Sequence, residues 1–217
     1  LIRDLAKIEG VYVPSFYRPE YLPDGSFAGM RALHDAPLPV ESRVAGELKP
    51  ENYPDRPLVP LTEVVHDRLA VEVMRGCTRG CRFCAAGMSY RPRRVRPVAD
   101  VVNQVVTGIQ SSGWEEVSLI SLSTTDYPGI EETVGRIGAR LSGKSVSISL
   151  SSLRADNFSL RIAENVAGGR KTGLTFAVEA GTQRLRDVIN KNLTEEQLLD
   201  TVRAALEAGG RAASCIS

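Results

Sequence analysis

The sequence predicts an α/β fold: βα units in series, entered through a proline-rich connector. Three observations carry this. Nine of the twelve prolines lie within residues 1–60, which excludes long helices there. From about residue 69, short apolar or alternating runs take turns with stretches of helical period. Start and stop residues punctuate those stretches where helices need them.

The connector comes first. Its segment Val11–Gly29 is rich in tyrosine, phenylalanine and turn residues, and is expected to pack on a neighbour rather than fold alone. Prolines at 50, 54, 57 and 60 make a semi-rigid lead-in. The expected strands are Leu69–Met74, Glu116–Leu122, Ser145–Leu150 and Gly173–Glu179. The third alternates serine with Val146, Ile148 and Leu150, and the fourth alternates Leu174, Phe176 and Val178 with small or polar residues. Pro97 is placed to open the first helix, which carries Val98, Val102, Val105, Val106 and Ile109 before Gly113 stops it. Ile130, Val134, Ile137 and Leu141 line a second helix. Leu160, Ile162 and Val166 suggest a third, ending at Gly168-Gly169. Thr182 is placed to cap a short helix with Leu185, Val188 and Ile189. Thr194 with Gln197 makes a capping box for the next, which is expected to run to Gly209.

Four βα units with right-handed crossovers build a parallel sheet with helices outside. A closed eight-fold barrel needs about 250 residues, more than the 217 present. After Gly209 the chain reads Gly-Arg-Ala-Ala-Ser-Cys-Ile-Ser. A fifth strand is expected to be β-branched and apolar; this tail is neither. The expectation is therefore four strands, an unpaired edge after the fourth, and a chain cut at both ends, since it begins at Leu1.

Composition sets the remaining bounds. The chain is 42% hydrophobic and 24% charged, with a formal net charge of +1, as in a globular protein. No apolar run reaches membrane-spanning length, so no membrane partner is expected. There is no signal-peptide pattern, and free thiols suit a reducing cytoplasm. Residues 75–96 hold Arg75, Arg79, Arg82, Arg91, Arg93, Arg94 and Arg96 with no acid. They read as a solvated face, as an offset to a negatively charged centre, or as a rim for an acidic substrate such as RNA or a ribosomal component. His34 and His66 are isolated and read as surface or packing residues.

The chemistry centres on Cys77-Thr-Arg-Gly-Cys81-Arg-Phe-Cys84, spaced C-x3-C-x2-C directly after the first strand. Three thiolates on one loop hold three corners of a cubane iron–sulfur cluster and leave the fourth iron open to a small molecule. A structural zinc site needs a fourth ligand, and His34, His66 and Cys215 stand at no finger-like spacing. A disulfide framework is disfavoured by the clustering and by the odd count. Ligands in parallel β/α folds gather at the carboxyl ends of strands. Those ends read Ser121-Leu-Ser123-Thr-Thr125-Asp126-Tyr, Ser151-Ser152 and Glu179-Ala-Gly181-Thr182.

The cysteine spacing, with aromatic Phe83 just before the last cysteine, resembles the signature of the radical S-adenosylmethionine (SAM) superfamily. Phe176-Ala-Val-Glu179-Ala-Gly-Thr, followed by Arg184 to Lys191, resembles the fourth-strand region of one of its subgroups. The resemblance covers residues 60–209. It implies a partial (β/α)6 radical-SAM barrel, here truncated after about four βα units, with residues 61–217 as its core and 1–60 as connector. It implies a [4Fe–4S] cluster on Cys77, Cys81 and Cys84, with SAM at the open iron and a reductant such as flavodoxin or ferredoxin. By the same resemblance Glu179 accepts from the SAM ribose hydroxyls and Lys191 faces its carboxylate, both sound pairings. Many members carry Gly-Gly-Glu at the second strand for the SAM amino group. Here Ser123, Thr125 and Asp126 stand there, with Ser151 nearby, and the choice among them stays open. Asp126 reads equally well as an N-cap for the helix near Pro128. The first sixty residues resemble the connector after a cobalamin-binding domain in one poorly characterised family. That arrangement implies a cobalamin domain ahead of Leu1 and methyl transfer in the full-length form, although this chain has no Asp-x-His-x-x-Gly motif. Two readings from other classes stand beside the enzyme: a non-catalytic iron–sulfur electron-transfer module and a zinc-stabilised binding domain.

Overall fold

The computed structural model describes residues 1–157, 162, 174–207 and 213–216. The chain divides into two compact units, Leu1–Gly46 and Glu47–Ser217.

In the first unit a single-turn helix α1 (Ile2–Leu5) precedes an antiparallel hairpin of β1 (Tyr17–Tyr21) and β2 (Phe27–Ala32), with Tyr17 opposite Ala32. Its turn is built by Asp24, which accepts from the amide and hydroxyl of Ser26, and by Gly25 at φ +82°. Ala6, Phe16 and Tyr17 form a small core of its own.

The two compact units divide at Gly46/Glu47. Residues 47–60 are tied to the second unit. Tyr53 donates to Glu72 at 2.7 Å, and Gln104 donates to the Pro54 carbonyl at 3.1 Å.

In the second unit β3 (Leu69–Glu72) runs parallel to β6 (Glu116–Ile120), which runs parallel to β7 (Ser147–Leu150). Between β3 and β6 lie β4 (Met74–Arg75), β5 (Arg94–Val95), a short helix α2 (Ala86–Ser89) and α3 (Val98–Ser112). Helix α3 forms where its apolar period and stops demand. Val101, Val102, Val105 and Ile109 are buried, Pro97 is the N-cap residue, and Gly113 closes it at φ +78°. Its face packs on Val71, Val117 and Leu119 and on α4 (Ile130–Arg140), whose Val134 and Ile137 complete the core. The third expected helix lies outside the described residues, apart from Ile162, which is buried in this same core.

β8 (Leu174–Ala177) joins β7's side through a parallel bridge between Leu153 and Phe176. Thr182 caps α5 (Gln183–Val188) by accepting from the Leu185 amide. The Thr194/Gln197 box opens α6 (Glu195–Glu207), each side chain bonding the other's backbone amide at 3.0–3.1 Å.

Two expectations are corrected. The run Leu69–Met74 is not one strand. Val73 makes the last bond to Ile120, after which Met74–Arg75 turns to pair antiparallel with Arg94–Val95. This closes the cysteine loop at its base. The tail also forms a fifth strand, β9 (Ala213–Ile216), parallel to β8 with Phe176 opposite Cys215. Fifth-strand character comes from the pairing partner that α6 brings it to, more than from its own residues. The fourth strand's edge is therefore covered, not open.

Candidate functional site

The carboxyl ends of β3, β6, β7 and β8 carry the polar residues. Chain leaving β4 enters the cysteine loop through Gly76, at φ +83°. A side chain there would meet the carbonyl oxygens of Tyr90 and Pro92, at 2.5 and 2.8 Å from its Cβ, so the loop's two legs touch at this point. The thiols of Cys77, Cys81 and Cys84 are all free and half-buried. Backbone amides face two of the sulfurs: Arg79 N–H to Cys77 at 3.5 Å and Gly87 N–H to Cys84 at 3.3 Å. Donors of this kind suit a sulfur that carries negative charge.

The loop is pinned from outside. Asn190 donates its side-chain amide to the carbonyl of Gly80 at 2.9 Å, and the Arg82 amide donates to the Ile189 carbonyl at 3.0 Å. The Arg82 guanidinium donates to the carbonyl of Val188. The first strand's loop is thus held by the segment following α5.

The residues singled out in the sequence fall into three groups. Ser123, Thr125, Asp126 and Ser151 come together between β6 and β7, and each has an internal partner. Ser123 donates to Asp126 at 2.7 Å, Thr125 accepts from the Arg154 amide at 3.2 Å, and Ser151 donates to the Leu119 carbonyl at 3.3 Å. Asp126 is not an N-cap. Gly129 precedes α4, and Asp126 instead accepts the forked guanidinium of Arg79, with Nε at 2.7 Å. Glu179 and Lys191 meet each other at 3.5 Å, with Lys191 buried and Glu179 in left-handed backbone at φ +69°. Such a conformation is costly for a residue other than glycine and concentrates at functional sites. Phe83 is exposed. The side chain of Cys215 lies outside the described residues.

Sequence reading missed Arg154, Asp156 and Asn190, and treated Arg79 only as one of a run. Arg79 Nη1 reaches Asp156 at 3.1 Å. Arg154 grips Asp156 through Nε and Nη2, both at 3.0 Å, and donates to the Lys191 carbonyl at 2.8 Å. The hydrogen bonds to Asp126 hold the Arg79 guanidinium above its ordinary pKa. Most of the arginine run is used internally. Arg75 forks onto Glu72, while Arg91 and Arg94 bond loop carbonyls. Buried Arg96 donates to the Glu72 carbonyl and to Gln104 and lies over the Tyr53 ring.

Beside Gly76 a cavity of about 320 Å³ opens between the ends of β3 and β6, lined in part by Glu72, Met74, Arg75, Tyr90, Ile120 and Leu122. Burial would raise the pKa of Glu72, but hydrogen bonds from Arg75 and Tyr53 outweigh it and hold the carboxyl below its usual range. Tyr53 moves the other way: burial, then its bond to Glu72, pushes the phenol up to about 12. A raised folded-state pKa stabilises the fold below the unfolded value of 10.0 and loses that contribution as pH rises towards 12. Tyr53→Phe is therefore expected to be less stable at neutral pH and to fall less steeply over pH 10–12. The urea midpoint against pH, read by the single tryptophan, Trp114 of the second unit, checks this. Equal slopes for the two chains over that window would remove the assignment.

The donor set, three thiols on one loop, is chemically suited to iron–sulfur ligation. Among the described residues, no three His, Cys, Asp or Glu side chains are gathered to hold one metal ion. Cys77, Cys81 and Cys84 are the residues of this clamped loop that could hold a multi-iron centre. Parallel α/β strands with such a loop at their carboxyl ends define a class of iron–sulfur protein whose cluster keeps an iron free. The radical SAM superfamily profile matches residues 71–217. The chain belongs to the radical SAM superfamily.

An uncharacterized protein of Methanocaldococcus jannaschii is 37% identical over 142 residues, which is 64% of this chain and 30% of that protein. The radical S-adenosylmethionine methyltransferase TsrM of Kitasatospora setae, solved with cobalamin and a [4Fe–4S] cluster, shares the fold with a TM-score of 0.57 at 14% identity. That match covers 68% of this chain and 30% of TsrM. The cobalamin-dependent S-adenosylmethionine radical enzyme OxsB, in its apo form, gives a TM-score of 0.62 at 17% identity, over 91% of this chain and 29% of its own. The chain thus spans about 30% of the length of these proteins. Among the described residues no helix is long and apolar enough to cross a membrane.

Proposed function

We propose that the chain is the cluster-bearing part of a radical SAM enzyme of the cobalamin-dependent kind, built on a partial six-strand barrel. The observation that carries this is the cysteine loop: three free thiols, two of them facing backbone amides, held at the carboxyl ends of parallel strands by Asn190 and Arg82. Cys77, Cys81 and Cys84 would hold a [4Fe–4S] cluster there, which would supply the electron for reductive cleavage of SAM.

The chain's own residues bind and orient. Cys77, Cys81 and Cys84 ligate three irons. Lys191 offers an ammonium to the SAM carboxylate, and Glu179 a carboxylate to its ribose hydroxyls. Ser123, Thr125 and Ser151 offer hydroxyls to the remainder of SAM. The cavity beside Gly76 receives the reacting group. Flavodoxin or ferredoxin serves as electron donor, and a cobalamin domain carried elsewhere in the full-length protein takes part in methyl transfer.

The experiment is anaerobic reconstitution of the chain with iron and sulfide, reduction with dithionite or flavodoxin, and assay of 5′-deoxyadenosine from added SAM. The expected result is about four irons per chain and product above background, both lost in Cys77→Ala, Cys81→Ala and Cys84→Ala. Iron without product under several reductants would favour the electron-transfer module. One zinc per chain with no visible absorption would favour the zinc-stabilised domain.

A further inference from the structure

Arg79 lies between the first two cysteines, and its guanidinium leaves the loop to bridge two other strand ends. It meets Asp126 after β6 and Asp156 after β7, and Asp156 is held in turn by Arg154. The four side chains alternate in sign and sum to zero formal charge. Both carboxylates and Arg154 are at most about one-tenth exposed. Charges so placed are weakly screened and act strongly on neighbours. The Arg79 amide is also the one that faces the Cys77 sulfur.

We propose that Arg79 is a positioning residue: it fixes the cysteine loop on the second and third strand ends and, with Asp126, sets the reduction potential of the cluster held there. The proposal rests on the cluster reading above. Net charge and hydrogen bonds around the sulfurs are the means by which a protein tunes such a potential. Arg79 brings a positive charge into the loop, and the two carboxylates offset it. The same fork occupies Asp126, which leaves the SAM amino group to the neighbouring hydroxyls.

The test is a one-electron titration of the reconstituted chain with dithionite, followed by electron paramagnetic resonance of the reduced cluster. Arg79→Gln leaves two carboxylates under-compensated, and its midpoint is expected to lie below that of the wild type. Asp126→Asn leaves Arg79 under-compensated, and its midpoint is expected to lie above. The double variant returns towards the wild type. Loosening of the loop alone would not move the single variants in opposite directions. In the metal-free chain, amide exchange over residues 77–84 is expected to quicken in Arg79→Gln.

Unchanged midpoints, or shifts of the same sign, overturn the proposal. If Arg79→Gln does not fold, Asp126→Asn decides alone, and a midpoint at or below the wild-type value overturns it. A wild-type chain that assembles no cluster removes the cluster reading itself. An intact wild-type cluster beside unmoved variants removes only this proposal.

Discussion

Gly76→Ala is expected to destabilise the second unit by about 2–5 kcal/mol and to abolish iron loading. Two costs combine. A left-handed conformation costs a residue with a Cβ about 1–2 kcal/mol, and Gly76 sits at φ +83°. Overpacking adds roughly 1–3 kcal/mol, because the new methyl meets backbone rather than a movable side chain. The nearest atoms are the Tyr90 oxygen at 2.5 Å, the Pro92 oxygen at 2.8 Å and Arg93 Cα at 3.1 Å. Relief requires the two legs of the cysteine loop to part, which breaks the Met74–Val95 and Arg75–Arg94 pairing at its base. Urea unfolding followed at Trp114, with iron counted after reconstitution, measures both effects. Wild-type values in either would show that the legs separate freely.

Arg154→Met carries the second large effect. Arg154 is buried, and its side chain holds both oxygens of Asp156 and the Lys191 carbonyl. Breaking a buried pair from one side costs about 3–5 kcal/mol because the remaining charge stays desolvated. Asp156 keeps Arg79 as a partner, so the lower end, about 3 kcal/mol, is expected. Arg154→Lys keeps the charge but not the fork and should recover part of the loss. A methionine variant within about 0.5 kcal/mol of wild type, the range of ordinary surface changes, would mean that the ionic contacts contribute little.

The helices were legible because their signals are local. Pro97, Gly113, Thr182 and the Thr194/Gln197 box each act within one turn, and each stands where the chain says it should. The cysteine loop was legible for the same reason, since its spacing lies within eight residues. Elements of two residues were not. Arg94–Val95 has no period to read, and it pairs only because the loop returns to Met74–Arg75. The fifth strand was missed because small residues become a strand when a neighbour offers a ladder.

Near the strand ends, residue type and position singled out Cys77, Glu179 and Lys191 as candidates. They did not reveal the contact of Glu179 with Lys191, nor the partners of Asp126. Arg79 lies 47 residues from Asp126 and 77 from Asp156. Pairings over such distances are set by strand order, which no local pattern encodes.

The bond from Asn190 to Gly80 spans 110 residues of sequence. During synthesis the cysteines therefore leave the ribosome well before the segment that clamps them. At about 5–20 residues per second, the interval is roughly 5–20 s. Over that time the three thiols are close in sequence yet without their outer brace, open to oxidation or to a stray metal. The outer brace of the three thiols is complete only once the fourth βα unit has been made.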